Sequence, residues 1–235
     1  MSTQKIAIID YGAGNLFNVK NALAFLGYEN VAFVSDTEGL READKLILPG
    51  VGAFPDAMRM LNGRGLAGAI KAEAQKKPLL GVCLGMQLLF EKSYEFAETE
   101  GLALVEGYVD RIEAPGLKIP HMGWNEVEVV NGSPLTEGLP EGAYVYFVHS
   151  YKAVTPEKHI SLMTEHGEPF PALVRGGEKG QIYGAQFHPE KSGAVGLAIL
   201  QRFLALPCGL SQETPSKTLQ ESHKNSPCET ERAAP

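Results

Sequence analysis

Residues 79–90 read LLGVCLGMQLLF. Leu79–Val82 is a short apolar run closed by a glycine-flanked position, as in a buried strand, and Leu84–Phe90 continues as a helical run. Between them stands Cys83, flanked as Gly81-x-Cys83-x-Gly85 where strand must become helix. A sharp strand-to-helix turn strains its central residue and brings neighbouring chains close, so small residues belong on both sides. The pattern is that of a nucleophile elbow.

The same alternation extends outward. Lys5–Asp10 (KIAIID) predicts a buried strand ending at the Gly12-Ala13-Gly14 breaker, and Leu16, Val19, Leu23 and Leu26 repeat at helical spacing up to a stop at Gly27. Val31–Val34, a short helical stretch, Lys45–Leu48 and a helix through Ala69–Ala74 lead back to Leu79. Near-continuous apolar strands separated by helices predict a parallel sheet covered on both faces. After about residue 100 the runs shorten and alternate, as in Trp124–Val130 and Tyr144–Val148, which predicts antiparallel strands. Gly184–Phe187 reads as a further buried strand and Val195–Leu206 as a closing helix.

The fold expected is therefore one α/β domain over residues 1–207, with a largely parallel sheet and a smaller antiparallel portion. From Ser211 to Pro235 no aromatic residue occurs, and Leu219, Cys228, Ala233 and Ala234 bury too little to offset the entropy of ordering the chain. Residues 208–235 are expected to be a disordered tail.

Composition narrows the function classes. With 21 basic and 28 acidic residues the formal charge is −7, and no basic run offers a footprint for nucleic acid. No apolar stretch approaches the roughly 20 residues that span a bilayer, and Met1–Lys5 is polar, so a cytoplasmic protein without a membrane partner is expected. Cys83, Cys208 and Cys228 lack the spacing of a zinc site or a disulfide framework, so no metal is expected. Gly12-Ala13-Gly14 lacks the third glycine of a dinucleotide fingerprint, and no cofactor is expected either.

Cys83 has two readings from its own segment: a buried cysteine packed in a strand-to-helix crossing, or a nucleophile. Helix N-termini lower thiol pKa values from about 8.5, and the Leu84 N–H is placed to stabilise an oxyanion. A base decides between them. In Ala185–Ser192 (AQFHPEKS), His188 ends a strand and Glu190 follows across the stiff Pro189. Carboxyl ends of parallel strands converge on one edge, so a nucleophile after one strand meets a base after another. His188 would take the thiol proton and protonate the leaving amine, and Glu190 would orient the ring. His121, His149, His159, His166 and His223 compete, but only His188 combines a strand end with a nearby acid.

The Gly81-x-Cys83-x-Gly85-x-Gln87 elbow and the His188-Pro189-Glu190 segment, in this order and about 100 residues apart, resemble those of the triad-type class I glutamine amidotransferases. The segments DYGAGNLFN (10–18), LPGVGAF (48–54), PHMGWN (120–125), FVHSY (147–151) and HPEKSG (188–193) look like those of the glutaminase subunits of imidazole glycerol phosphate synthases. The likeness runs from about residue 5 to 206. It implies a flavodoxin-like fold and hydrolysis of L-glutamine to glutamate and ammonia, in histidine biosynthesis. The ammonia would pass to a cyclase with a (β/α)₈ barrel, forming a heterodimer. A barrel needs about 250 residues, so the cyclase is expected to be a separate polypeptide.

Gly50-Val51-Gly52 follows a strand and reads either as an ordinary turn or as a substrate loop. With glycines on both sides the Val51 peptide can rotate, so that its N–H joins that of Leu84 in an oxyanion hole only when the partner is loaded. Gln87, four residues after Cys83, is a solvated helix residue or a contact for the glutamine head group. The resemblance assigns Ser150 and Tyr151 to the same pocket. Asn15, Asn18 and Trp124 are candidate partner contacts, with Trp124 equally suited to the core. Lys191 binds across the interface or is simply solvated. Three rivals remain from the residues alone: an amidotransferase feeding another synthase, a cysteine peptidase of related fold, and a catalytically silent interaction module.

Overall fold

The computed structural model describes residues 4–208; the expected tail beyond Cys208, with His223 and Cys228, lies outside the described residues. Strands β1 (Ile6–Ile9), β2 (Val31–Val34), β3 (Lys45–Gly50), β4 (Leu79–Cys83) and β13 (Ile182–Ala185) form the parallel half of a nine-stranded sheet. The order β2-β1-β3-β4-β13 continues into antiparallel strands: β12 (Pro169–Gly176), β11 (Ile160–Glu165), β8 (His121–Val129) and β9 (Ala143–His149). A second sheet, in the order β10-β7-β5-β6, joins β5 (Lys92–Ser93), β6 (Thr99–Glu100), β7 (Tyr108–Arg111) and β10 (Tyr151–Val154).

The apolar runs are continuous because each parallel strand is buried on both faces. On β1, Ala7 and Ile9 join the core under α2 (Thr37–Glu42), α3 (Phe54–Gly63) and α4 (Leu66–Ala74), while Ile6 and Ile8 join the core under α1 (Leu16–Phe25) and α6 (Gly193–Ala205). Burial of a large aliphatic side chain stabilises by about 1.5–3 kcal/mol, so these two layers dominate the energetics.

The expected α/β fold with a partly antiparallel sheet is present. Three boundaries differ from the sequence reading. The helix after Cys83, α5, spans only Leu84–Gln87, and Leu88–Phe90 turn away to meet the second sheet. The strand before His188 ends at Ala185, two residues early, because Gln186 leaves the β4 pairing for a single bond to the Ala172 carbonyl. The helix expected through Ala69–Ala74 is preceded by a separate amphipathic helix, α3, with Gly65 in the left-handed region (φ 68°) between them.

Candidate active site

The elbow is built by exclusion of side chains. Cys83 has φ 56° and ψ −114°, a conformation costly for any residue but glycine, and the surrounding chains over-determine it. A Cβ at Gly85 would lie 1.8 Å from the Leu48 carbonyl oxygen, and one at Gly81 2.5 Å from the Gly85 oxygen. Cys83 thus stands at the carboxyl edge of the sheet, its sulfur 3.9 Å from the Val148 carbonyl.

His188 is positioned by the edge strand. Its N–H donates to the Tyr146 carbonyl at 2.9 Å, Ser192 Oγ donates to the His188 carbonyl at 2.7 Å, and the Tyr146 N–H donates to Ser192 Oγ at 3.0 Å. This turn covers part of the free edge of β9. His188 Nδ1 lies 2.9 Å from Glu190 Oε1, with the two side chains only 3% and 1% exposed. His188 Nε2 and Glu190 Oε2 make no hydrogen bond among the described residues. Burial lowers the His188 pKa, but attraction to Cys83 and to Glu190 outweighs it and raises the imidazole to about 9.

Cys83, Leu84 and His188 line one cavity of about 320 Å³ with Val51, Gly52, Gln87, Glu95, Pro120, Val148, His149, Ser150 and Tyr151. It opens where the chain leaves the large sheet at His149 and enters the small one at Tyr151. The Val51 loop departs from the symmetric turn suggested by its two glycines. Gly50 is a packing position, where a Cβ would meet Gly85 N at 2.7 Å, Leu84 Cβ at 2.8 Å and the buried Tyr11 hydroxyl at 2.9 Å; Gly52 alone carries a positive φ, 96°, in open space. Gln87 is buried, not solvated: its amide nitrogen donates to the Tyr151 carbonyl at 2.9 Å and to Gln186 Oε1 at 3.0 Å.

The comparisons with known proteins agree with this architecture. The profile of the class-I glutamine amidotransferases matches residues 7–206. The chain belongs to the class-I glutamine amidotransferase family. A family member from Listeria monocytogenes, named imidazole glycerol phosphate synthase subunit HisH, is 47% identical over 212 residues, 88% of this chain and all of the relative. A Streptococcus sanguinis relative of the same name is 50% identical over 198 residues, 83% and 93% of the two chains. Among solved structures, PurLQS from Thermotoga maritima superposes with a TM-score of 0.67 at 23% identity, covering 86% of this chain and 98% of that one, a likeness of fold.

Within this amidotransferase the other predicted positions lie outside that cavity. Trp124 is 52% exposed, so it is a surface residue, with its ring 6.0 Å from Tyr146; Lys191 Nζ lies 5.9 Å over the same Tyr146 ring. Asn15 caps α1 through its backbone, and Asn18 borders a groove with Glu190. Of the competing histidines, His149 reaches the cavity, but its Nδ1 is turned to the Tyr151 carbonyl, its Nε2 faces His121 rather than Cys83, and burial pushes its pKa down to about 3, far below that of a useful base. His159 lies 3.0 Å from the Arg175 carbonyl on β12 and does not line the cavity.

Glu95 is the pocket residue that sequence reasoning missed. Its Oε2 accepts the Phe54 N–H at 2.7 Å, capping α3, and burial with Asp56 nearby raises its carboxyl above the usual range although the Phe54 bond opposes. Glu91, Glu95, Glu98 and Glu100 lie in one acidic segment, and nothing in its spacing sets one apart. The following Phe96, at φ 63°, is a bulky residue in the left-handed region, a strain visible only in three dimensions.

Proposed function

We propose that this chain is the glutaminase subunit of an imidazole glycerol phosphate synthase, hydrolysing L-glutamine to L-glutamate and ammonia for histidine biosynthesis. The observation that carries the chemistry is that Cys83 and His188 line one cavity while Glu190 Oε1 stands 2.9 Å from Nδ1 of the same imidazole. Cys83 attacks the carboxamide carbon. The oxyanion is held by the N–H of Leu84, at the start of α5, and by that of Val51. His188, protonated up to about pH 9, gives its proton to the departing ammonia, leaving a thioester. Water then attacks, His188 accepting its proton, and glutamate leaves with the thiol restored.

The head group of glutamine is an ammonium and a carboxylate. Glu95 meets the ammonium in the pocket, Gln87 offers its remaining carbonyl oxygen beside it, and the Ser150–Tyr151 backbone holds the carboxylate end. The donor for the oxyanion at Val51 is supplied by rotation of its peptide about the open Gly52, with Gly50 clamped. The ammonia passes to a separate cyclase subunit, a (β/α)₈ barrel, docked on the Asn15, Asn18, Trp124 and Lys191 face to form a cytoplasmic heterodimer. The cyclase product reading favours this synthase over other ammonia acceptors because PHMGWN and HPEKSG occur together with relatives of that name at 47–50% identity.

Glutamate release by the chain mixed with the cyclase, with and without the cyclase's nucleotide substrate, is the test. Strong stimulation by nucleotide is expected. Equal rates in isolated chain and loaded complex overturn the Val51 switch, and full activity of Cys83→Ala overturns the catalytic assignment.

A further inference from the structure

Behind the glutamine pocket two buried histidines stand in line between two groups that only accept hydrogen bonds. His149 Nδ1 lies 2.8 Å from the Tyr151 carbonyl oxygen, His149 Nε2 lies 3.2 Å from His121 Nδ1, and His121 Nε2 lies 3.0 Å from Asn125 Oδ1. The Asn125 amide is fixed in orientation, because its nitrogen donates to the Glu165 carbonyl 2.7 Å away. Three contacts require three N–H hydrogens, and two neutral imidazoles carry two.

A third proton is disfavoured. Burial pushes both rings down, His149 to about 3, and the other imidazoles nearby, His166 stacked 4.2 Å from His121 and His188 beyond His149, act in the same sense. One contact is therefore always empty. With a carbonyl-type oxygen at each end of the line, the two hydrogens serve best at the ends, and the central contact between the rings, 3.2 Å, is the one left without a hydrogen.

The Tyr151 carbonyl at one end of this line also accepts the amide of Gln87 at 2.9 Å. Asn125 at the other end lies on β8 beside the exposed Met122 and Trp124. We propose that His121 and His149 are positioning residues that form a tautomeric relay, in which the proton on His149 Nδ1 fixes the Tyr151 carbonyl and with it the Gln87 side of the glutamine pocket. The proposal rests on the glutamine reading of that pocket. When β8 draws Asn125 away, His121 exchanges its Nε2 proton with solvent for one on Nδ1, at no net change of charge. The central contact is then filled, and the bond it donates to His149 strengthens the His149 bond to Tyr151 through polarisation along the chain. Docking on the Met122–Trp124 face thereby reaches the substrate head group through two protons.

Imidazole ¹H–¹⁵N spectra of the full-length chain read the tautomers directly. His149 is expected to be protonated at Nδ1 and His121 at Nε2, with His121 moving to Nδ1 in Asn125→Ala. A wild-type His149 carrying its proton on Nε2, or a His121 unmoved by Asn125→Ala, overturns the relay. Glutamate-release kinetics of the complex with the cyclase form the second arm. His149→Asn keeps an amide N–H at the Nδ1 position, whereas His149→Gln does not. His149→Gln is expected to raise KM for glutamine roughly three- to tenfold, the worth of one hydrogen bond, with a smaller change in kcat, and His149→Asn to stay within about twofold of wild type. Equal KM values in the two variants overturn the positioning role. A wild-type complex that releases no glutamate overturns the glutamine reading instead, and the spectra then judge the relay alone.

Discussion

Glu190 Oε1 lies 2.9 Å from His188 Nδ1, across a single intervening proline, with both side chains out of solvent. The carboxylate can only accept, so it keeps an imidazole hydrogen on Nδ1 and, in the proposed mechanism, leaves Nε2 to exchange protons with sulfur and substrate. Glu190→Gln replaces that acceptor by an amide that is free to present N–H instead. The expected outcome is a fall in kcat for glutamate release of roughly 10²- to 10⁴-fold and a His188 pKa below the wild-type value. Steady-state kinetics and an imidazole titration of the same variant check it; an unchanged kcat would remove Glu190 from the mechanism.

The raised pKa of His188 links folding to pH. Its folded value of about 9 stands above the ordinary histidine value of 6.5, because burial, which disfavours the cation, is outweighed by Cys83 and Glu190, which favour it. The contribution of His188 to stability is therefore complete below 6.5 and disappears as pH rises through 9. Urea unfolding of wild type and His188→Asn should give a stability difference that shrinks between these limits. A difference that grows over the same interval would mean that burial, not pairing, governs the ring.

The strands and the elbow were legible because their causes are local. Leu79–Val82 and Ile6–Ile9 are apolar at every position since both faces of a parallel sheet are covered, and Gly85 is glycine because the Leu48 carbonyl occupies the place of its Cβ. His188 was legible through Glu190, two residues away. What escaped depends on partners distant in sequence. Glu95 enters the pocket by capping a helix that begins 41 residues earlier, and Ser192 holds His188 by bridging to Tyr146, 46 residues away. The exposure of Trp124 was equally undecided until β8 was seen to turn it outward, since HMGWN alternates too weakly to assign faces.

Glu95 gives a second kinetic prediction, of the opposite kind to Glu190. Its carboxylate is placed for the ground-state ammonium of glutamine and has no contact with the reacting carbon in this reading. Glu95→Gln removes a charge-assisted hydrogen bond of about 1.5–3 kcal/mol, which is roughly 10- to 150-fold in KM. The kcat at saturation should change much less, since uniform binding is lost. Because Glu95 also caps α3 through the Phe54 N–H, which an amide oxygen still accepts, unfolding by urea should show the variant folded. A loss confined to kcat would place Glu95 in the chemistry instead.

Trp124 decides whether the face beside the site is a docking surface. It is 52% exposed, with Met122 at 63% and Tyr144 at 50% on the same hairpin, and Lys191 extends over the Tyr146 ring against which Trp124 packs edge-on. A large aromatic left half in solvent next to a cation, rather than closed into either core layer, is the composition of an interface anchor. Trp124→Ala should therefore weaken binding of the cyclase by at least about 2 kcal/mol, near 30-fold in Kd by calorimetric titration. The isolated chain should lose less than about 1 kcal/mol of stability, because the ring leaves no cavity in the core. The two measurements together separate the explanations: undiminished affinity would move the docking surface elsewhere, whereas a loss of stability as large as the loss of affinity would return Trp124 to a role in the fold.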